Sequence, residues 1–113
     1  MDCIFCKIKA GEIPAQIVYR DDEIIAFRDI NPKAPSHLLV IPNRHIETLA
    51  DLKEEDTNMI GRLVLVANQI ASEEGFSENG YRLVMNCREH GGQEVYHLHL
   101  HLLGGRQMMW PPG

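Results

Sequence analysis

At 113 residues, 44% apolar and 24% charged, the chain is sized and composed for one globular domain spanning 1–113, which excludes multidomain, collagen-like and disordered classes. Eleven Lys and Arg against sixteen Asp and Glu give a net charge of −5. The chain therefore lacks the clustered bases that a nucleic-acid polymer demands, while a single small nucleotide stays admissible. No apolar run approaches the roughly 20 residues of a bilayer span, so no membrane partner is expected. Met1–Cys6 carries no basic segment leading into an apolar one, so the expected location is the cytoplasm.

Asp2 and Gly11 suit the cap and the stop of a short helix across Cys3–Ala10, with Ile4, Phe5 and Ile8 on its apolar side. Ile17–Arg20 and Ile24–Arg28 flank the polar Asp21-Asp22-Glu23, the pattern of a hairpin. His37–Ile41 is a continuous apolar run closed by Pro42, which predicts a strand buried on both faces. From Asp51, Met59, Ile60, Leu63, Val66, Ala67 and Ile70 recur at three- and four-residue spacing, so a long amphipathic helix is expected up to Gly75. Asp51 with Glu54 reads as its capping box. Residues 47–78 hold eight acids and two bases, which this helix places on its solvated face and ends. Tyr81–Asn86 and Val95–Leu103 complete a mainly antiparallel, five-stranded α+β domain with one long and one short helix.

His97-Leu98-His99-Leu100-His101-Leu102 alternates imidazole with leucine. Residues two apart on a strand share a face, so three leucines meet the core while three histidines look the other way. Unpartnered buried imidazoles are costly, and four of the six histidines fall within 90–101, which favours function over ordinary packing. Neighbouring histidines about 6.6 Å apart can share a zinc ion, but His97 and His101, roughly 13 Å apart, cannot readily do so. The alternative is phosphorus chemistry, with a neutral imidazole as nucleophile and its neighbours donating to phosphate oxygens. Gly91-Gly92 and Gly104-Gly105 on either side allow backbone amides to approach an anion.

The run Gly91 to Arg106, GGQEVYHLHLHLLGGR, resembles the signature of the histidine triad family, in its nucleotide-binding branch of bacterial type. The likeness extends through Ile4-Phe5, Phe27-Arg28-Asp29-Ile30-Asn31, Ala34-Pro35-Ser36-His37, Val40-Ile41-Pro42 and the tail Trp110–Gly113. It implies an α+β fold whose sheet continues across a homodimer, and hydrolysis of purine nucleoside phosphoramidates without a catalytic cofactor. An alternative is a purine nucleotide-binding regulatory module with incidental turnover.

Transferred by position, the resemblance makes His99 the nucleophile, sets His101 and His37 beside the phosphate, and has His97 orient His99 through its backbone. Asp29 would hold the ribose hydroxyls, and Ile4, Phe5, Ile8, Phe27 and Ile30 would wall the base. Asn86 and Gly92 fall near sugar and phosphate. Glu94 stands where many relatives have serine: either it is protonated and serves the departing amine, or it turns away. Cys3 and Cys6, at ligand spacing, with His45 and His97, are expected to bind a structural zinc, as some branches of the family do. The dimer interface is expected on the long helix and the strand Tyr81–Asn86, with the tail docking near the active site.

Overall fold

The computed structural model describes residues 2–113. Helix α1 spans Ile4–Lys9. Its N-cap is Cys3 rather than Asp2: the Cys3 sulfur accepts the Cys6 N–H at 3.3 Å, leaving Asp2 to a loose surface pair with Lys7. Gly11, at φ 79°, closes the helix, with its N–H on the Ile8 carbonyl and the Glu12 N–H on that of Lys7.

Strands β1 (Ile17–Arg20), β2 (Ile24–Arg28) and β3 (Ser36–Pro42) follow. Asp21 Oδ1 accepts the N–H groups of Glu23 and Ile24, both at 2.8 Å, and so builds the expected hairpin turn from its own side chain. Helix α2 runs Thr57–Glu73, then β4 Tyr81–Val84 and β5 Leu100–Gly104. Among the described residues, five strands form one antiparallel sheet in the order β1-β2-β3-β5-β4.

Three boundaries differ from expectation. Helix α2 begins at Thr57, because the acids before it cap separate turns. The Asp51 carboxylate takes the Thr48 N–H and hydroxyl at 3.2 and 2.8 Å, and Asp56 takes the Lys53 N–H at 2.9 Å. These bonds shape 3₁₀ turns at Leu49–Asp51 and Glu54–Asp56 in place of an Asp51–Glu54 box. Strand β5 begins at Leu100 instead of Val95. Its register, with Val40 opposite Leu100, would set Leu98 against Pro42, which has no N–H to offer, and the Leu98 N–H turns to the Ile46 carbonyl at 2.6 Å. Strand β4 ends at Val84, two residues early, which frees Asn86 from the ladder.

The sheet has two covered faces. On one, Ile24, Ala26, Leu38, Val40, Leu98, Leu100 and Leu102 pack against Leu63, Val66, Ala67 and Ile70 of α2. On the other, Ile25, Phe27, Leu39 and Ile41 meet Cys3, Phe5 and Ile8 of α1. Strand β3 is thus buried on both faces, as its unbroken apolar run requires. The histidines share the α1 face because the period of two continues through Leu98, before the ladder begins. Where β5 ends, a Cβ on Gly104 would overlap the buried Phe76 ring. Gly104→Ala is expected to cost about 1–3 kcal/mol, read as a lower urea midpoint at unchanged slope.

Candidate active site

A pocket of about 500 Å³ lies between α1 and the sheet. Strand β3 brings His37 to it, β5 brings His101, and the segment leading into β5 brings His99. Asp29 follows directly on β2, and Ile30 follows Asp29. Ile4, Phe5 and Ile8 of α1 face Phe27, and the loop after β4 adds Asn86, Gly92 and Glu94. His97 is fully buried and does not line the pocket; only its backbone touches the site.

Hydrogen-bond partners fix the ring protons. The His99 Nδ1 lies 2.7 Å from the His97 carbonyl, which can only accept, so Nδ1 carries the proton and Nε2 keeps a free lone pair. The Lys33 N–H donates to His37 Nδ1 at 3.0 Å, which puts the His37 proton on Nε2. That proton faces His101 Nδ1 at 2.9 Å and Asp29 Oδ2 at 3.4 Å. As an acceptor at Nδ1, His101 carries its own proton on Nε2. One imidazole therefore offers an electron pair and its neighbour, 4.9 Å away between ring centres, offers a donor.

Burial keeps these rings neutral. It lowers the pKa values of His99 and His37, and in His37 the nearby Asp29 opposes it in part. The pKa of His101 falls to about 4 through burial and the proximity of His99 and His37. Neutrality is what a nucleophilic imidazole needs at physiological pH.

Behind the pocket, Cys3, Cys6, His45 and His97 bring one ligand atom each to within 4.8 Å of one another. Around a tetrahedral zinc, with Zn–S about 2.3 Å and Zn–N about 2.0–2.1 Å, ligand atoms stand about 3.3–3.8 Å apart. Here the two Nδ1 atoms are 3.2 Å apart, His97 Nδ1 lies 3.4 and 3.6 Å from the Cys3 and Cys6 sulfurs, and His45 Nδ1 lies 3.4 Å from Cys6. The His97 Nε2–H goes to the Pro42 carbonyl at 2.9 Å, which leaves Nδ1 free to ligate and orients the ring. The residues fit a zinc ion. Asp29, His37 and His101 form a second close group, but the His37 Nε2 carries a proton there, so that group does not suit a metal. His97 and His99 share no ligand group among the described residues.

A family described as "Scavenger mRNA decapping enzyme C-term binding" matches residues 2–110. The chain belongs to the histidine triad family. It is 55% identical to the purine nucleoside phosphoramidase of Escherichia coli (strain K12) over 107 residues, 95% of this chain and 90% of that one. Among solved structures, a HIT family hydrolase from Legionella pneumophila Philadelphia 1 superposes with TM-score 0.97 at 57% identity, covering 99% of this chain and 100% of that one. A histidine triad protein from Clostridium difficile gives 0.93 at 48% identity, covering 96% and 95%. The α+β histidine triad fold expected from the sequence is the one observed.

Nothing in the sequence marks Lys33. It acts on His37 through a backbone N–H, which no residue type encodes, and its carbonyl is held by Arg106 at 2.9 and 3.2 Å. Gln93 is a further brace: its amide takes the Arg88 N–H at 2.8 Å and donates to the Glu47 and Val95 carbonyls, fixing the loop before His97.

Proposed function

We propose that this histidine triad protein hydrolyses the P–N bond of purine nucleoside 5′-phosphoramidates, adenosine 5′-monophosphoramidate being the reference substrate. The observation that carries the proposal is the His99 ring, neutral and pinned through Nδ1 so that its Nε2 lone pair is left uncommitted in the pocket. The name of the Escherichia coli relative supports the substrate class.

His99 Nε2 attacks the α-phosphorus, the P–N bond breaks, and the amine departs with a proton. Water then displaces His99 from phosphorus and releases the nucleoside monophosphate. His101, protonated on Nε2, donates to a phosphate oxygen, and His37 holds His101 in that tautomer. Asp29 accepts from the ribose hydroxyls, Asn86 and Gly92 contact sugar and phosphate, and the α1 side chains with Phe27 and Ile30 enclose the base. Glu94 lines the exposed edge of the pocket, open to the solvent that supplies the departing amine's proton. Incubation with adenosine 5′-monophosphoramidate should release ammonia and AMP in equal amounts. Tight AMP binding with no turnover would instead make the chain a binding module.

The same reading gives the chain, as one domain, a structural zinc on Cys3, Cys6, His45 and His97, and no metal in the chemistry. Supporting it are the ligand separations and the free cysteines. Purified without a histidine tag, the protein should contain about one zinc per chain; under a tenth of that would end the idea. The reading also includes a cytoplasmic homodimer. The half-buried β4 forms one edge of the sheet, and Leu65 on α2 is 63% exposed, so a second copy would cover both. No helix among the described residues is long and apolar enough to cross a membrane.

A further inference from the structure

Two sites that sequence alone would treat separately, the Cys/His group and the pocket, meet at a single residue. The His97 ring belongs to the first, and the His97 carbonyl fixes His99 in the second at 2.7 Å. What holds that carbonyl still is the question. His97 lies outside the sheet ladder, which starts at Leu100, and the nearest backbone anchor is the Leu98 N–H on the Ile46 carbonyl. Gln93 braces the loop before it, and the hold at His97 itself is its ring, tied at Nε2 to Pro42 and at Nδ1 to the cysteine and His45 cluster.

A second connection runs through α1. Phe5 sits between Cys3 and Cys6 and packs edge-on against both rings, 5.9 Å from His97 and 5.2 Å from His99. A six-residue helix is too short to hold itself, so its attachment to the sheet depends on buried side chains and on these sulfurs.

We propose that Cys3, Cys6 and His45 are positioning residues for His99, acting through His97, so that metal in the cluster sets the rate of the chemical step. The inference rests on the zinc reading above. Ordering partners one step removed from a reacting group commonly change activity 10–100-fold. A cluster that only shaped the base wall would raise KM and leave kcat alone; a positioning cluster lowers kcat at saturating substrate.

The test compares zinc-loaded protein, protein stripped by a chelator, and the His45→Gln and Cys6→Ser variants, with Cys6→His as a ligand-retaining control. Zinc content, kcat, KM and imidazole nitrogen NMR are measured on each. In the loaded protein and in Cys6→His, His99 should show one tautomer protonated at Nδ1. Stripping, or either of the other variants, should mix the tautomers and lower kcat about 10–100-fold, and re-addition of zinc to stripped protein should restore both. If zinc binds one per chain but stripping leaves kcat and the His99 signals unchanged, positioning is overturned while the metal reading stands. If no zinc binds, both fall. The NMR signature reports on positioning even if phosphoramidates prove not to be substrates. A stripped protein that unfolds is covered by His45→Gln, which keeps both sulfurs.

Discussion

A His99→Ala variant is expected to lose at least about four orders of magnitude in phosphoramidate turnover while retaining most of its affinity for AMP. The loss is large because His99 is the pocket imidazole with an uncommitted lone pair: the Nδ1 positions of His37 and His101 are engaged and their Nε2 atoms are protonated. Cys87 is half-buried in the loop after β4 and does not line the pocket. Affinity should survive because Asp29, Phe27, Phe5 and the other walls remain. Rapid quench of the wild type in alkaline denaturant, where an imidazole–phosphorus bond survives, should with a slow substrate show one nucleoside monophosphate added to the peptide containing His99. Two displacements give net retention at phosphorus, so inversion with no adduct would overturn the covalent route.

The sequence reveals this site where local periodicity and geometry coincide. The His/Leu alternation stays readable because the period of two persists over residues 97–102, although the ladder takes in only those from Leu100 onward. Helix α2 is readable because its buried residues repeat over several turns, and Gly75, at φ 86°, ends it as expected. The features it does not reveal depend either on distant partners or on competition between local hydrogen bonds. The late start of β5 is imposed by Pro42, which lies 56 positions before Leu98 in the chain and lacks an N–H for it. The late start of α2 comes from Asp51 and Asp56 bonding to Thr48 and Lys53, a competition that residue types alone leave undecided. Cys3 displaces Asp2 as the cap because its sulfur is held against α1 by the same contacts that gather the cluster. The tautomers of His37 and His101 follow from a backbone amide at Lys33, and side-chain chemistry in the sequence carries no trace of it.

Stability is expected to fall as pH drops from neutrality towards 4, by about 3 kcal/mol from His101 alone. The sign follows from proton uptake. Unfolded, the imidazole has its ordinary value of 6.5; folded, burial and the neighbouring His99 and His37 lower it to about 4. Above 6.5 both states are neutral and stability is level. Between 6.5 and 4 the unfolded chain binds a proton that the folded one refuses, so unfolding gains; below 4 both are protonated and the loss stops growing. His37 and His99 are lowered by burial too and act in the same direction. The Asp56 carboxyl, lowered by the Lys53 N–H and Arg44, acts in a separate window below its ordinary 3.8. Urea midpoints at pH 7.5, 6, 5 and 4.5 should therefore decline already between pH 6 and 5, above the ordinary carboxylate values of about 3.9–4.3. His101→Asn should flatten that decline by removing its share, with the wild-type slope as reference. A midpoint that is constant from pH 7.5 to 4.5 would mean that the pocket imidazoles protonate freely in the folded state, and the neutral nucleophile inferred at His99 would then lose its electrostatic basis.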